Sequence, residues 1–211
     1  MPFNSIYSIG IYNPTNNVFG VITTTALPLN AYYGGVLIPD GRIVCVPHSA
    51  TSILIIDTVG SYSLVGTTPG NQAFAGGVLL PNGKVLFVPY SYSAIGFFDP
   101  NTNTYSELSI TVTTGSLPYF HNGVLTADGR VILTPYNSRN IGVYNISTHT
   151  YREITTSITN NGVFGSSVVL LDGRVLLVPY STGITNAFVG VLSGFPKLHA
   201  ELCYHPSFNK V

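Results

Sequence analysis

Four short runs carry the side chains best suited to recognising a ligand: Pro47-His48-Ser49, Pro89-Tyr90-Ser91, Pro135-Tyr136-Asn137 and Pro179-Tyr180-Ser181. Each sets a tyrosine or histidine beside a small hydrogen-bonding residue. Tyrosine joins a rigid apolar ring to a polar tip, a chemistry that suits sugar or protein recognition. Its return in every copy equally fits a structural duty, with each ring packed between neighbouring units and its hydroxyl satisfied locally. The candidate binding set is therefore His48, Tyr90, Tyr136 and Tyr180, together with Ser49, Ser91, Asn137 and Ser181.

The remaining reactive side chains read as framework. Asp40, Asp57, Asp99, Asp128 and Asp172 all fall in turns, which accounts for them without catalysis. Glu107, Glu153 and Glu201 fall on expected outer strands, and no two carboxylates stand out as a glycosidase pair. Arg42, Lys84, Arg130 and Arg174 follow the turn glycine in every copy. They either keep strand starts soluble beside the turn acids or form an anion-binding ring, which the adjacent aspartates would weaken. His199, Cys203 and His205 would share one strand face, but a fourth metal ligand is not evident. No G-x-S-x-G elbow, phosphate loop or dinucleotide fingerprint occurs. The sequence thus leads us to expect no catalysis, no metal and no cofactor.

These residues hang on a repeat. Tyr32 to Pro47 (YYGGVLIPDGRIVCVP), Phe74 to Pro89 (FAGGVLLPNGKVLFVP), Phe120 to Pro135 (FHNGVLTADGRVILTP) and Phe164 to Pro179 (FGSSVVLLDGRVLLVP) align throughout. A second motif follows in IGFFDPNTNTY from Ile95 and IGVYNISTHTY from Ile141, with a divergent copy, ILIIDTVGSY, from Ile53. One more copy, IGIYNPTNNVF from Ile9, stands alone at the start. Asp-Gly or Asn-Gly between apolar runs signals a hairpin and predicts a type I′ turn, with φ above zero at both residues. Asn13-Pro14 and Asp99-Pro100 predict type I turns. Each repeat is therefore expected to hold four antiparallel strands, a to d.

About 44 residues and four strands make one blade of a β-propeller. The all-β fold predicted is one propeller domain, 1–211, of four to five four-stranded antiparallel blades. Residues 1–26 supply strands c and d of an incomplete blade. Full blades span 32–66, 74–112 and 120–156, and 164–211 hold the last blade and a non-repeat tail. Strand a should lie at the axis, where the small pairs Gly34-Gly35, Gly76-Gly77, Asn122-Gly123 and Ser166-Ser167 allow close approach. Just before them stand Tyr32, Phe74, Phe120 and Phe164, either inter-blade packing or an aromatic platform. Two closures follow. Pairing of residues 9–12 with 174–178 would close four blades; otherwise the opening hairpin is half of a fifth blade, with an edge that wants a partner strand.

The GVL-x-x-DG-[RK]-[VI] and [FY]-[DN]-P-x-T-N-T-Y hairpins resemble those of kelch-type propellers over nearly the whole chain, to about Leu192. The double glycine that closes a kelch second strand is here Val46-Pro47, Val88-Pro89, Thr134-Pro135 and Val178-Pro179, and the fourth-strand Trp is Tyr105 and Tyr151. The blades also resemble the VPY-containing repeats of structural proteins from phages and large viruses.

Composition bounds the partners. Only 8% of residues are charged and the net charge is zero, so no basic stripe exists to neutralise nucleic-acid phosphates. No apolar run is long enough to insert in a membrane, and no signal peptide is visible. Cys45 and Cys203 could form one bridge or remain buried thiols. The expected role is a structural, adhesive or protein-interaction component of an extracellular or virion assembly, meeting other protein subunits through the incomplete first blade. A glycan-binding propeller using the tyrosine-rich face is the alternative, and a kelch-like or sialidase-like enzyme the third.

Overall fold

The computed structural model describes residues 8–24 and 27–180 of the chain. These hold sixteen strands, β1 Ser8–Asn13, β2 Val18–Thr23, β3 Tyr32–Leu37, β4 Ile43–Pro47, β5 Ile53–Ile56, β6 Tyr62–Val65, β7 Phe74–Leu79, β8 Val85–Pro89, β9 Ala94–Asp99, β10 Thr104–Ser109, β11 Phe120–Leu125, β12 Arg130–Pro135, β13 Ile141–Asn145, β14 Thr150–Ile154, β15 Phe164–Val169 and β16 Val175–Pro179. They form three four-stranded antiparallel sheets, β3–β6, β7–β10 and β11–β14, flanked by the hairpins β1–β2 and β15–β16. The fold is an all-β propeller. No helix among the described residues is long and apolar enough to cross a membrane.

Strand alternation builds the core. Successive side chains point to opposite faces of a sheet. Val44 and Val46 face forward and pack with Phe74, Val85 and Phe87 of the next sheet. Cys45 and Leu54 face backward and pack with Ile9 and Leu27 of the opening segment. The same scheme joins Leu86, Val88 and Phe97 to Phe120, Val131 and Leu133, and Ile132 and Val143 to Phe164, Val175 and Leu177. Each complete sheet is thus apolar on both faces and lies between two neighbours. Cys45 sits in this core as a thiol, its pKa pushed up to about 12 by burial.

The inner strands β3, β7, β11 and β15 stand side by side along the axis. Glycine sets their spacing. A Cβ added to Gly77 would lie 2.6 Å from the Val36 side chain and 2.8 Å from that of Val46. The aromatics Tyr32, Phe74, Phe120 and Phe164 are all buried, as inter-blade packing requires.

One expectation needs correction, and one of the two closures left open by the sequence is not formed among the described strands. The a-b turns are not type I′. Gly41 N–H donates to Ile38 O at 2.9 Å and Ile38 N–H to Arg42 O at 2.9 Å, with positive φ at Gly41 but not at Asp40. Gly83, Gly129 and Gly173 repeat this pattern. Each is a type I turn followed by a left-handed glycine, the three-residue hairpin loop with a glycine bulge. Pro39 and Pro81 favour it, because proline holds φ negative at the turn's second residue. Nor do residues 9–12 meet 174–178. Among the described strands β1 pairs with β2 alone and β16 with β15 alone. The third and fourth strands expected of the last blade, with His199, Cys203 and His205, lie outside the described residues.

The turn cations are committed locally. Arg42 pairs with Asp40 at 2.7 Å, Arg174 with Asp172 at 2.5 Å, and Arg130 with Asp128. Hydrogen bonds from Arg42 hold the Asp40 carboxyl below the usual carboxylate range. This pairing removes the basis for an anion-binding ring. Arg42 also donates to Pro100 O at 3.1 Å, tying an a-b turn to the c-d turn of the following blade.

Gly77→Val should cost about 1–3 kcal/mol through overpacking between blades. Urea denaturation would read this as a lower midpoint at unchanged slope.

Candidate functional site

The face opposite those turns carries the site. Strand a begins there and strand b ends there. In every blade the a-b ladder is irregular at its start, with register shifts between Tyr32 and Gly35, Phe74 and Gly76, Phe120 and Asn122, and Phe164 and Ser166. A bulge re-aims the extra residue and leaves its backbone groups out of the ladder. Two of the bulged residues, Tyr33 and His121, turn their rings toward the axis. Their counterparts Ala75 and Gly165 are small.

His48, Tyr90, Tyr136 and Tyr180 follow the prolines that end β4, β8, β12 and β16. They converge with Tyr33 and His121 around one open basin of about 510 Å³. The rings form a continuous network. Centroids lie 5.2 Å apart for His48 and Tyr90, 6.1 Å for Tyr90 and Tyr136, 5.3 Å for His121 and Tyr136, and 5.5 Å for Tyr136 and Tyr180. Below the basin a smaller space of about 270 Å³ runs between the glycines of the inner strands, sharing Tyr33 and His121 with it.

Hydrogen bonds fix both histidines. His48 Nδ1 lies 2.7 Å from Phe74 O, and His121 Nδ1 lies 2.8 Å from Gly165 O. A carbonyl only accepts, so each Nδ1 carries the proton. In the neutral ring His121 Nε2 is then an acceptor, and Tyr33 OH donates to it at 3.1 Å. Each histidine bonds to the following blade, while the Tyr33–His121 bond runs from the first complete blade to the third. Burial is the main cause that lowers the pKa of both histidines. It also raises the phenols of Tyr33, Tyr90 and Tyr136 above their ordinary value. At neutral pH the lining is uncharged.

The small neighbours have another task. Ser49 N–H donates to Asn30 O and Ser91 N–H to Gln72 O. Asn137 Nδ2 donates to Leu117 O at 3.0 Å, and its Oδ1 accepts from Gly162 N–H at 2.8 Å. These residues clamp the b-c loops to adjoining loops and do not line the basin. Ser181 lies outside the described residues. Tyr33 and His121 were missed by sequence reasoning. They interrupt the repeat, at a position where the other blades hold Ala75 and Gly165, and that interruption was the available signal.

No family model matches the chain, and no curated protein matches it. The solved structures it resembles are propeller proteins. A catalytically inactive histidine-to-alanine variant of virginiamycin B lyase from Staphylococcus aureus, with quinupristin, superposes with a TM-score of 0.69 at 17% identity, over 82% of this chain and 56% of that one. A streptogramin B lyase gives 0.66 at 19%, over 82% and 55%. The extracellular domain of a putative one-component system from B. thetaiotaomicron gives 0.63 at 11%, over 84% and 24%. These likenesses establish the fold alone. The chain spans little more than half the length of the lyases it matches.

The lowered histidine pKa values have a sign for stability. A folded-state pKa depressed below about 6.5 contributes stability that is present above the unfolded value and lost as pH falls through the folded one. Unfolding free energy measured in urea should therefore decline as pH drops from 7 toward 5. His121→Gln should flatten that decline, and an unchanged slope would contradict the burial of its ring.

Proposed function

We propose that this propeller is a binding module of the adhesive kind, serving an extracellular or virion assembly, whose axial basin holds an uncharged sugar. The observation that carries the reading is the convergence of six aromatic rings, from all four repeats, on one basin without a Lys, Arg, Asp or Glu in its lining. An ionic ligand would find no counter-charge there. A pyranose offers an apolar C–H face for the rings and hydroxyls for the phenol tips. The basin's volume falls in the range of small-ligand sites.

Binding without turnover is favoured by the absence of a carboxylate from the basin lining and by the engagement of His121. Both Nδ1 protons are held by backbone carbonyls, and His121 Nε2 is engaged by Tyr33. Among the residues lining the basin no carboxylate stands ready as an acid or nucleophile. The low overall charge agrees with a virion or extracellular setting.

A glycan array of neutral oligosaccharides, followed by calorimetry on the hits, tests this. Tyr90→Ala and Tyr136→Ala should each weaken binding about tenfold, corresponding to about 1.4 kcal/mol. Ser91→Ala should leave affinity unchanged. Absence of hits across a broad neutral panel would retire the sugar reading. Conversion of a hit, seen by mass spectrometry of the recovered glycan, would instead favour an enzyme.

A further inference from the structure

The two ends of the blade array are matching halves. By motif β1–β2 is a c-d hairpin without its a-b partner, and β15–β16 is an a-b hairpin without its c-d partner among the described residues. In the complete blades the c strand is buried. Phe97 and Phe98 are 9% and 0% exposed, and Val143 and Tyr144 1% and 0%. The same positions in β1 are Ile11 and Tyr12, at 45% and 57%. At the other end Val178 is 40% exposed where Val88 is 0%. Core positions thus stand open at both termini of the array.

A second feature shows what would cover them. In two complete blades strand c carries a glycine directly after an isoleucine, and the ring of that blade's strand-a phenylalanine rests on it. A Cβ on Gly96 would lie 2.9 Å from Phe74 Cζ, and one on Gly142 3.0 Å from Phe120 Cζ. β1 keeps this seat as Gly10, and β15 carries the phenylalanine as Phe164. Yet the two hairpins pack at opposite ends, β1–β2 against β3–β6 and β15–β16 against β11–β14.

We propose that the β1–β2 hairpin of one copy completes the β15–β16 half-blade of a second copy. The register follows from the complete blades. Val131 opposes Tyr144, Ile132 opposes Val143 and Leu133 opposes Gly142, with the same offsets between β8 and β9. Across the copies Val175 therefore opposes Tyr12, Leu176 opposes Ile11 and Leu177 opposes Gly10. Phe164 of one copy rests on Gly10 of the other. Seven residues separate Pro89 from Gly96 and Pro135 from Gly142; the same step from Pro179 reaches Asn186, and the chain's own next glycine-bearing run of this kind, Val189-Gly190-Val191-Leu192, comes four residues later. The contact is head-to-tail, so it yields a ring if the rotation closes and a filament if it does not.

Opposed residues in an antiparallel ladder lie within disulfide reach. Ile11→Cys and Leu176→Cys, each made singly in the full chain with Cys203→Ser, are mixed and oxidised. A cross-linked dimer should form several-fold more than with the mismatched pair Ile11→Cys and Val175→Cys. Light scattering on the unmodified protein should show mass rising above one chain with concentration. A strict monomer with no cross-link in the mixture overturns the proposal. So does a double variant, Ile11→Cys with Leu176→Cys, that closes its disulfide within one chain.

Discussion

A sheet that is apolar on both faces cannot end in water; it must lie between two others. That constraint governs this chain. Alternate residues of each second strand serve different neighbours, Val44 and Val46 the blade ahead, Cys45 the hairpin behind. Sheets stacked in this way, each twisted against the last, fan about an axis. The hydrophobic core is therefore distributed over the interfaces between blades. Small residues on the innermost strands let the fan close tightly at its centre, where a side chain as slight as a methyl on Gly77 has no room.

The basin follows from the same crowding. The inner strands meet at the axis, and each begins with an irregularity that turns one residue out of its ladder. Where that residue is Tyr33 or His121, a ring is delivered to the mouth of the axis. Carbonyls at the same irregularities accept the histidine protons, so the strand defect supplies both the aromatic group and the anchor that orients it. Burial among the rings then favours the neutral form of the histidines, and phenols carry no charge near neutrality, which makes the basin polar at its hydroxyls but devoid of net charge.

Much of this was legible in the sequence. The hairpins could be read because Asp-Gly, Asn-Gly and Asp-Pro sit between apolar runs at a recurring interval. His48, Tyr90, Tyr136 and Tyr180 could be read because they recur. The turn type was misjudged because the Asp-Gly pair was weighed without the preceding Pro39 and Pro81, which already hold φ negative. Ser49, Ser91 and Asn137 lie off the basin, Asn137 because its side chain is spent within the loops and the two serines because their backbone N–H groups are held by neighbouring loops. Tyr33 and His121 were hidden because a strand irregularity is a property of pairing between strands, and only a departure from the repeat marks where it turns an aromatic ring inward.

The tight turns joining each first and second strand lie at the far ends of the strands from the basin. At Gly83 and Gly129 an added Cβ would meet nothing within 4 Å. Foreign peptide loops spliced beside these glycines would project from one side of the disc while the aromatic mouth remained open on the other. The molecule is in that sense a two-sided display scaffold, whose faces can be altered independently because the stacked sheets between them are what holds the chain together.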